Sequence, residues 1–192
     1  MTLATKITVA RICLVPVFAA YAIAYGLSIA NGNPVENYRW VALVVFIVAA
    51  ASDGVDGWIA RHFDQRSDLG AYLDPIADKF LVLTAILILT FVDWGSDGWS
   101  IPLWFAAIVV LRDCVILGGI RVLYSAKKKV KIRPHWTGKV CTFSHFFVLG
   151  WVMLKLIHLS PIYPCIFAAV FTVWSMLKYF QQGLHILRAE QV

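Results

Sequence analysis

Long apolar blocks alternate with short polar stretches along the whole of this chain. Six blocks reach about 20 residues, the length an α-helix needs to cross a bilayer. They run roughly from Ile12 to Ala30, Trp40 to Ala60, Leu73 to Trp94, Ile101 to Tyr124, Val140 to Ile157 and Tyr163 to Leu184. The pattern predicts an all-α, polytopic membrane protein of six transmembrane helices, several of them continuing past the bilayer as polar ends. Thr2 to Arg11 is polar and apolar by turns, which predicts short amphipathic helices ahead of the first span.

Charge between the blocks assigns the sides. Asn31 to Tyr38 carries only Glu36, Asp93 to Ser100 carries Asp93 and Asp97 and no base, and His158 to Ile162 carries no full charge. The alternate set is basic: Lys6 and Arg11, then Arg61 and Arg66, then Lys127, Lys128, Lys129, Lys131 and Arg133, and finally Arg188. Lys and Arg mark cytoplasmic loops, so both termini and the two basic loops are assigned to the cytoplasm. Tyr38, Trp40, Trp94, Trp99 and Trp104 fall near the predicted outer boundaries, where aromatic side chains mark the headgroup level.

Composition agrees with the pattern. The chain is 60% hydrophobic and 15% charged, with a mean hydropathy of +0.76. Soluble domains run at about 45–50% and about 25%. An ordinary soluble protein is excluded, and a single membrane domain over residues 1–192 is enough for this length. The net charge of +6 lies between apolar spans rather than on one polar face. Membrane orientation and anionic ligands account for it, and nucleic acid does not. Cys13, Cys114, Cys141 and Cys165 all lie in apolar runs without metal-ligand spacing, and read as free buried thiols. His62, His135, His145, His158 and His185 form no zinc pattern. The first apolar run is too long for a cleavable signal peptide.

Against this background Asp53, Asp56, Asp74 and Asp78 stand out. An ionised carboxylate in hydrocarbon costs several kcal/mol, so each needs a compensating partner. No basic residue sits among them at helical spacing, and Lys79 alone cannot neutralise four. Divalent cations can, because hard cations take carboxylate oxygens. Spacings of three and four place each pair on one helix face. At 1.5 Å per residue both pairs lie about 5–12 Å from the cytoplasmic ends of the second and third spans. A tight helical hairpin then gathers four carboxylates at one depth, with two divalent ions as their natural content. Gly54, Gly57 and Ala60 leave a lean surface beside Asp56, Gly70 does likewise at the entry to the third span, and Arg61 is placed to meet an anion.

The order Asp53-x2-Asp56-Gly57-x2-Ala60-Arg61-x8-Gly70-x3-Asp74-x3-Asp78 resembles, position for position, the signature of the CDP-alcohol phosphotransferases. The six-span layout and the opening LATKITVARICLVPVF also resemble that family, although Leu3, Ala4 and Thr5 depart from its usual Asn-x-Pro-Asn. The resemblance implies transfer of a phosphatidyl or related group from a CDP-linked donor, CDP-diacylglycerol for a phosphatidyl group, to an alcohol with release of CMP. It implies that Asp53, Asp56 and Asp74 hold two cations, Mg2+ or Mn2+. Asp78 would ligate one of them and act as base. Gly57, Ala60, Arg61 and Gly70 would cradle the cytidine diphosphate. A homodimer among membrane lipids, in a bacterial inner or plasma membrane with its active site at the cytoplasmic face, completes what the resemblance implies.

The acceptor is read from the second half. Arg112 and Asp113 lie well inside the fourth span, where function is the default reading of a charge. With Arg133 and Lys139, Arg112 makes a candidate site for an acceptor phosphate or a lipid phosphodiester. Lys127 to Lys131 read as a membrane-surface anchor. In length and overall pattern the chain resembles the phosphatidylglycerophosphate synthases of the family, which use glycerol-3-phosphate. Arg-Asp followed by the basic stretch, proline and lysine also resembles the cardiolipin synthases of this fold, which use phosphatidylglycerol. Outside this enzyme class, a cation transporter could carry membrane acids, but near the midplane and often on broken helices.

Overall fold

A computed structural model of the chain describes the backbone of residues 3–62, 68–95, 99–125, 136–155 and 159–188, and side chains within 9–52, 79–95, 99–119, 121, 136–155 and 159–183. The described residues form six α-helices and no strand: α1 (Leu3–Ala30), α2 (Glu36–His62), α3 (Asp68–Phe91), α4 (Leu103–Ser125), α5 (Trp136–Leu154) and α6 (Ile162–Arg188). Each predicted block matches one helix, in order, with ends that differ by a few residues except at the start of α1, which begins at Leu3 rather than Ile12. Val9–Ala30, Trp136–Leu154 and Ile162–Gly183 are long and apolar enough, among the described residues, to cross a membrane.

The separate amphipathic helices expected over Thr2 to Arg11 are not there. From Leu3 onward this stretch is the start of α1, which runs unbroken for 28 residues with Pro16 inside it. No glycine or proline lies between Leu3 and Arg11 to stop the helix.

Two compact units divide the chain. The first comprises Met1–Ser100 and Val152–Leu156, the second Ile101–Trp151 and Ile157–Val192. In the first, α1 packs on both α2 and α3. Its buried stripe of Val15, Phe18, Ala22 and Tyr25 recurs every three or four residues, the repeat of one helix face. Phe46 of α2 meets Phe18 with ring centroids 5.6 Å apart, and Leu81, Ala85 and Leu89 of α3 are fully buried in the same unit. Near its end α1 comes so close to Val92 that a Cβ at Gly26 would collide with it, so only glycine permits this approach.

In the second unit α4 packs on α6. Buried residues are Phe105, Ala106 and Val109 on α4, Cys141, His145 and Leu149 on α5, and Cys165, Ala168 and Thr172 on α6. Ile166, Phe167, Val170, Trp174 and Leu177 give α6 an exposed apolar face, as a bilayer-facing helix requires.

Two sequence expectations need correcting. All four cysteines are free, but only Cys141 and Cys165 are buried; Cys13 and Cys114 are exposed. The outer face of a membrane helix is as apolar as its inner one, so apolar context alone does not separate them. Trp94 is not a headgroup marker either. It is fully buried and meets Tyr25 edge-on at 5.1 Å.

Candidate active site

Asp53, Asp56, Gly57, Ala60 and Arg61 occupy the last turns of α2, which ends at His62, and Gly70, Asp74 and Asp78 occupy the first turns of α3, which begins at Asp68. Both helices belong to the first unit and touch one another. Backbone over both stretches is helical, so each aspartate pair shares a helix face by its spacing. The side chains of residues 53–78, and with them every carboxylate and the Arg61 guanidinium, lie outside the described residues. As a donor set, four carboxylates fit hard cations of the Mg2+ and Mn2+ kind and offer no sulfur or imidazole for softer ones. Among the described residues no group of three or more His, Cys, Asp or Glu makes another candidate metal site.

By sequence Arg11 belongs to the basic set that assigns the N-terminus to the cytoplasm. The structure buries it to 1% exposure. Its Nε donates to Ser52 Oγ at 3.2 Å, and Ser52 Oγ donates in turn to the Ala49 carbonyl at 2.7 Å. Ser52 directly precedes Asp53. A signal was present in the sequence: Arg11 stands four residues before Val15 and seven before Phe18, on the core stripe of α1.

In the second unit Arg112 Nη1 donates to Asp113 Oδ1 at 2.6 Å, with the two side chains 11% and 18% exposed. Its Nε is buried without a hydrogen-bond partner among the described residues. Lys139 lies in the first turn of α5 and is exposed. Arg133, the third candidate for the acceptor, lies outside the described residues. Deeper in the same unit His145 Nε2 and Thr172 Oγ1 are 2.9 Å apart. Thr172 Oγ1 also donates to the Ala168 carbonyl at 2.7 Å, and Cys141 Sγ lies 3.6 Å from Thr172 Oγ1. Sequence reading assigned none of these a role, although Cys141 and His145 are four apart on one face of α5.

A second charged group closes the other end of the first unit. Tyr25 donates its hydroxyl to Glu36 Oε1 at 2.9 Å, Arg39 Nε pairs with Glu36 Oε2 at 2.6 Å, and Lys155 Nζ donates to Tyr25 Oη at 2.9 Å. Arg39 Nη1 also donates to the carbonyls of Met153, at 3.4 Å, and Leu154, at 3.1 Å. Burial pushes the Glu36 carboxyl up, but the Tyr25 hydrogen bond and the charges of Arg39 and Lys155 outweigh it and hold the group below its ordinary range. Burial, with Arg39 nearby, holds the Lys155 ammonium below the usual lysine value, and Glu36 offsets part of this. These groups stand at the opposite end of α1 from Arg11, away from the aspartate positions.

Known proteins are similar in sequence to this chain along most of its length. The family model of the CDP-alcohol phosphatidyltransferases matches residues 1–178. A protein of Haemophilus influenzae named CDP-diacylglycerol–glycerol-3-phosphate 3-phosphatidyltransferase is 30% identical over 179 residues, which are 91% of this chain and 89% of that protein. Proteins of the same name from Escherichia coli K12 and from Shigella flexneri serotype 5b are 31% identical over 179 residues, 91% of this chain and 91% of theirs. With its aspartates on the joined ends of α2 and α3 and a family match over almost all of its residues, the chain belongs to the CDP-alcohol phosphatidyltransferase family.

Proposed function

We propose that the protein transfers the phosphatidyl group of CDP-diacylglycerol to glycerol-3-phosphate, forming phosphatidylglycerophosphate and releasing CMP. One observation carries this reading. The complete acidic signature lies on the consecutive ends of α2 and α3, two helices that pack on one another, in a chain that is similar, over 91% of its length, to enzymes named for that reaction. Asp53, Asp56, Asp74 and Asp78 would hold two divalent cations, Mg2+ or Mn2+. When bound, such ions neutralise phosphate oxygens and help to align a displacement. Gly57, Ala60 and Gly70 provide a lean surface for the cytidine diphosphate, and Arg61 offers its guanidinium to the diphosphate oxygens. The acceptor hydroxyl oxygen bonds to the phosphatidyl phosphorus, and its proton passes to the Asp78 carboxylate. The bond from that phosphorus to the CMP oxygen breaks, and CMP leaves with the electron pair. Arg112, Arg133 and Lys139 would receive the phosphate of the acceptor.

The protein works as one membrane domain over residues 1–192, with six transmembrane helices, both termini in the cytoplasm and the aspartates facing that side. A homodimer in a bacterial inner membrane is the assembly this reading adopts. The decisive assay supplies purified protein with Mg2+ or Mn2+ and CDP-diacylglycerol, and offers glycerol-3-phosphate and phosphatidylglycerol separately. CMP release with glycerol-3-phosphate is expected. Release with phosphatidylglycerol alone would move the protein to cardiolipin synthesis, and release with neither would remove both acceptors. Metal-dependent ion flux without CMP would favour transport.

A further inference from the structure

A guanidinium does not lose its proton inside a protein, so Arg11 keeps a full positive charge at 1% exposure. Leaving such a charge without an opposite one costs several kcal/mol. The bond to Ser52 is to a neutral hydroxyl, and Arg11 is engaged beyond that one bond. The candidates for its counter-charge can be narrowed by position. Residues 1–35 contain no aspartate or glutamate. Glu36 is sixteen residues before Ser52 on α2, about 24 Å along the axis, and is taken by Tyr25 and Arg39. Asp93 lies next to Trp94, which packs on Tyr25 at that same far end. The acids that the sequence places at the level of Ser52 are those of the signature, with Asp74 and Asp78 at that depth on α3, which also packs on α1, and Asp53 and Asp56 on α2 itself. Asp53 is the next residue, and Asp56 stands four residues on, on the helix face that carries Ser52.

We propose that Arg11 is the built-in counter-charge of the aspartate site: a positioning residue on α1 that offsets the mutual repulsion of the four carboxylates while no cation is bound, and ties α1 to α2 beside them. The proposal rests on the reading of Asp53 and Asp56 as metal ligands. It adds a fixed cation from a third helix, at a residue outside the acidic signature.

Charge compensation has a readout that packing lacks. Purified full-length protein in nanodiscs is melted with chelator and with saturating Mn2+. Arg11→Met is expected to lower the chelated Tm by roughly 10 °C and the Mn2+-loaded Tm by less than half of that, because Mn2+ takes over the neutralisation. Arg11→Lys is expected to stay near wild type in both conditions. Adding Asp56→Asn to Arg11→Met is expected to restore part of the chelated Tm, a coupling of opposite charges measured by a double-mutant cycle. Equal losses with and without Mn2+, or no recovery on adding Asp56→Asn, would overturn the proposal and leave Arg11 a packing residue hydrogen-bonded to Ser52. Should Arg11→Met not fold, the same comparison is made with Arg11→Gln, alone and with Asp56→Asn. Loss of the free-Mn2+ resonance signal on titration with wild-type protein tests the metal reading separately. Its failure would count against the metals and not against the Arg11–Asp56 coupling under chelator.

Discussion

The first unit carries charge at the two ends of α1 and keeps apolar residues between them, whereas the second buries neutral polar groups in the middle of α5 and α6 and holds its charges as a pair of sequence neighbours on α4. In the first, Arg11 lies at one end and Tyr25, Glu36, Arg39 and Lys155 meet at the other, with Val15, Phe18 and Ala22 between. In the second, His145, Thr172 and Cys141 meet midway along α5 and α6, and Arg112 bonds to its sequence neighbour. The difference separates two uses of polarity. Charge near a helix end draws an opposite charge to itself, as Glu36 draws Arg39. Neutral groups deep in a bundle fix which residue of one helix faces which residue of the next, and contribute modestly to stability.

The comparison can be broken most severely at Asp56. Asp56→Asn is expected to lower CMP release by more than about 100-fold, beyond what loss of a merely supporting group around a metal costs. Size-exclusion and circular-dichroism profiles should stay those of the wild type. Retained turnover would remove Asp56 from the metal set and erase the contrast between the units. Thr172→Val probes the other side. It leaves His145 without its hydroxyl partner and should cost about 0.6–2 kcal/mol of stability, the range for hydrogen bonds between membrane helices, while turnover below the melting range stays near wild type. A kcat loss as large as that of Asp56→Asn would place chemistry in the second unit. The smallest effect belongs to Glu36. Its carboxyl titrates below its ordinary value of 4.5 in the folded chain, so its contribution is complete above 4.5 and fades as pH falls through the folded value. Because Glu36 is 51% exposed, the contribution is about a few tenths of a kcal/mol. Melting curves below pH 4.5 should decline slightly less steeply for Glu36→Gln than for wild type.

The number, order and approximate ends of the helices were legible from the apolar blocks, because a bilayer-length run has few other ways to satisfy its backbone. The acidic signature was legible too, since four acids at helical spacing stand out against apolar surroundings. The burial of Arg11 does not follow from the topology rule, which uses only its sign; the signal for it is its place on the core stripe of α1. Trp94 was misjudged because a tryptophan at a span end is commonly a headgroup residue, and its contact with Tyr25 is long-range. The seam of Tyr25, Arg39 and Lys155 could not be read at all. It joins residues 130 positions apart, and Lys155 holds a left-handed φ of 52° there, which no local pattern announces.

That seam orders events during synthesis. Trp99 Nε1 donates to the Val152 carbonyl at 3.0 Å, Arg39 takes the carbonyls of Met153 and Leu154, and Lys155 reaches Tyr25. The opening three helices leave the ribosome long before these partners exist, although folding during translation otherwise proceeds from the N-terminus. The earliest-made bundle is therefore among the last parts of the molecule to be finished, and a nascent chain released ahead of Val152 would carry Tyr25, Glu36 and Arg39 with their remaining partners unmade.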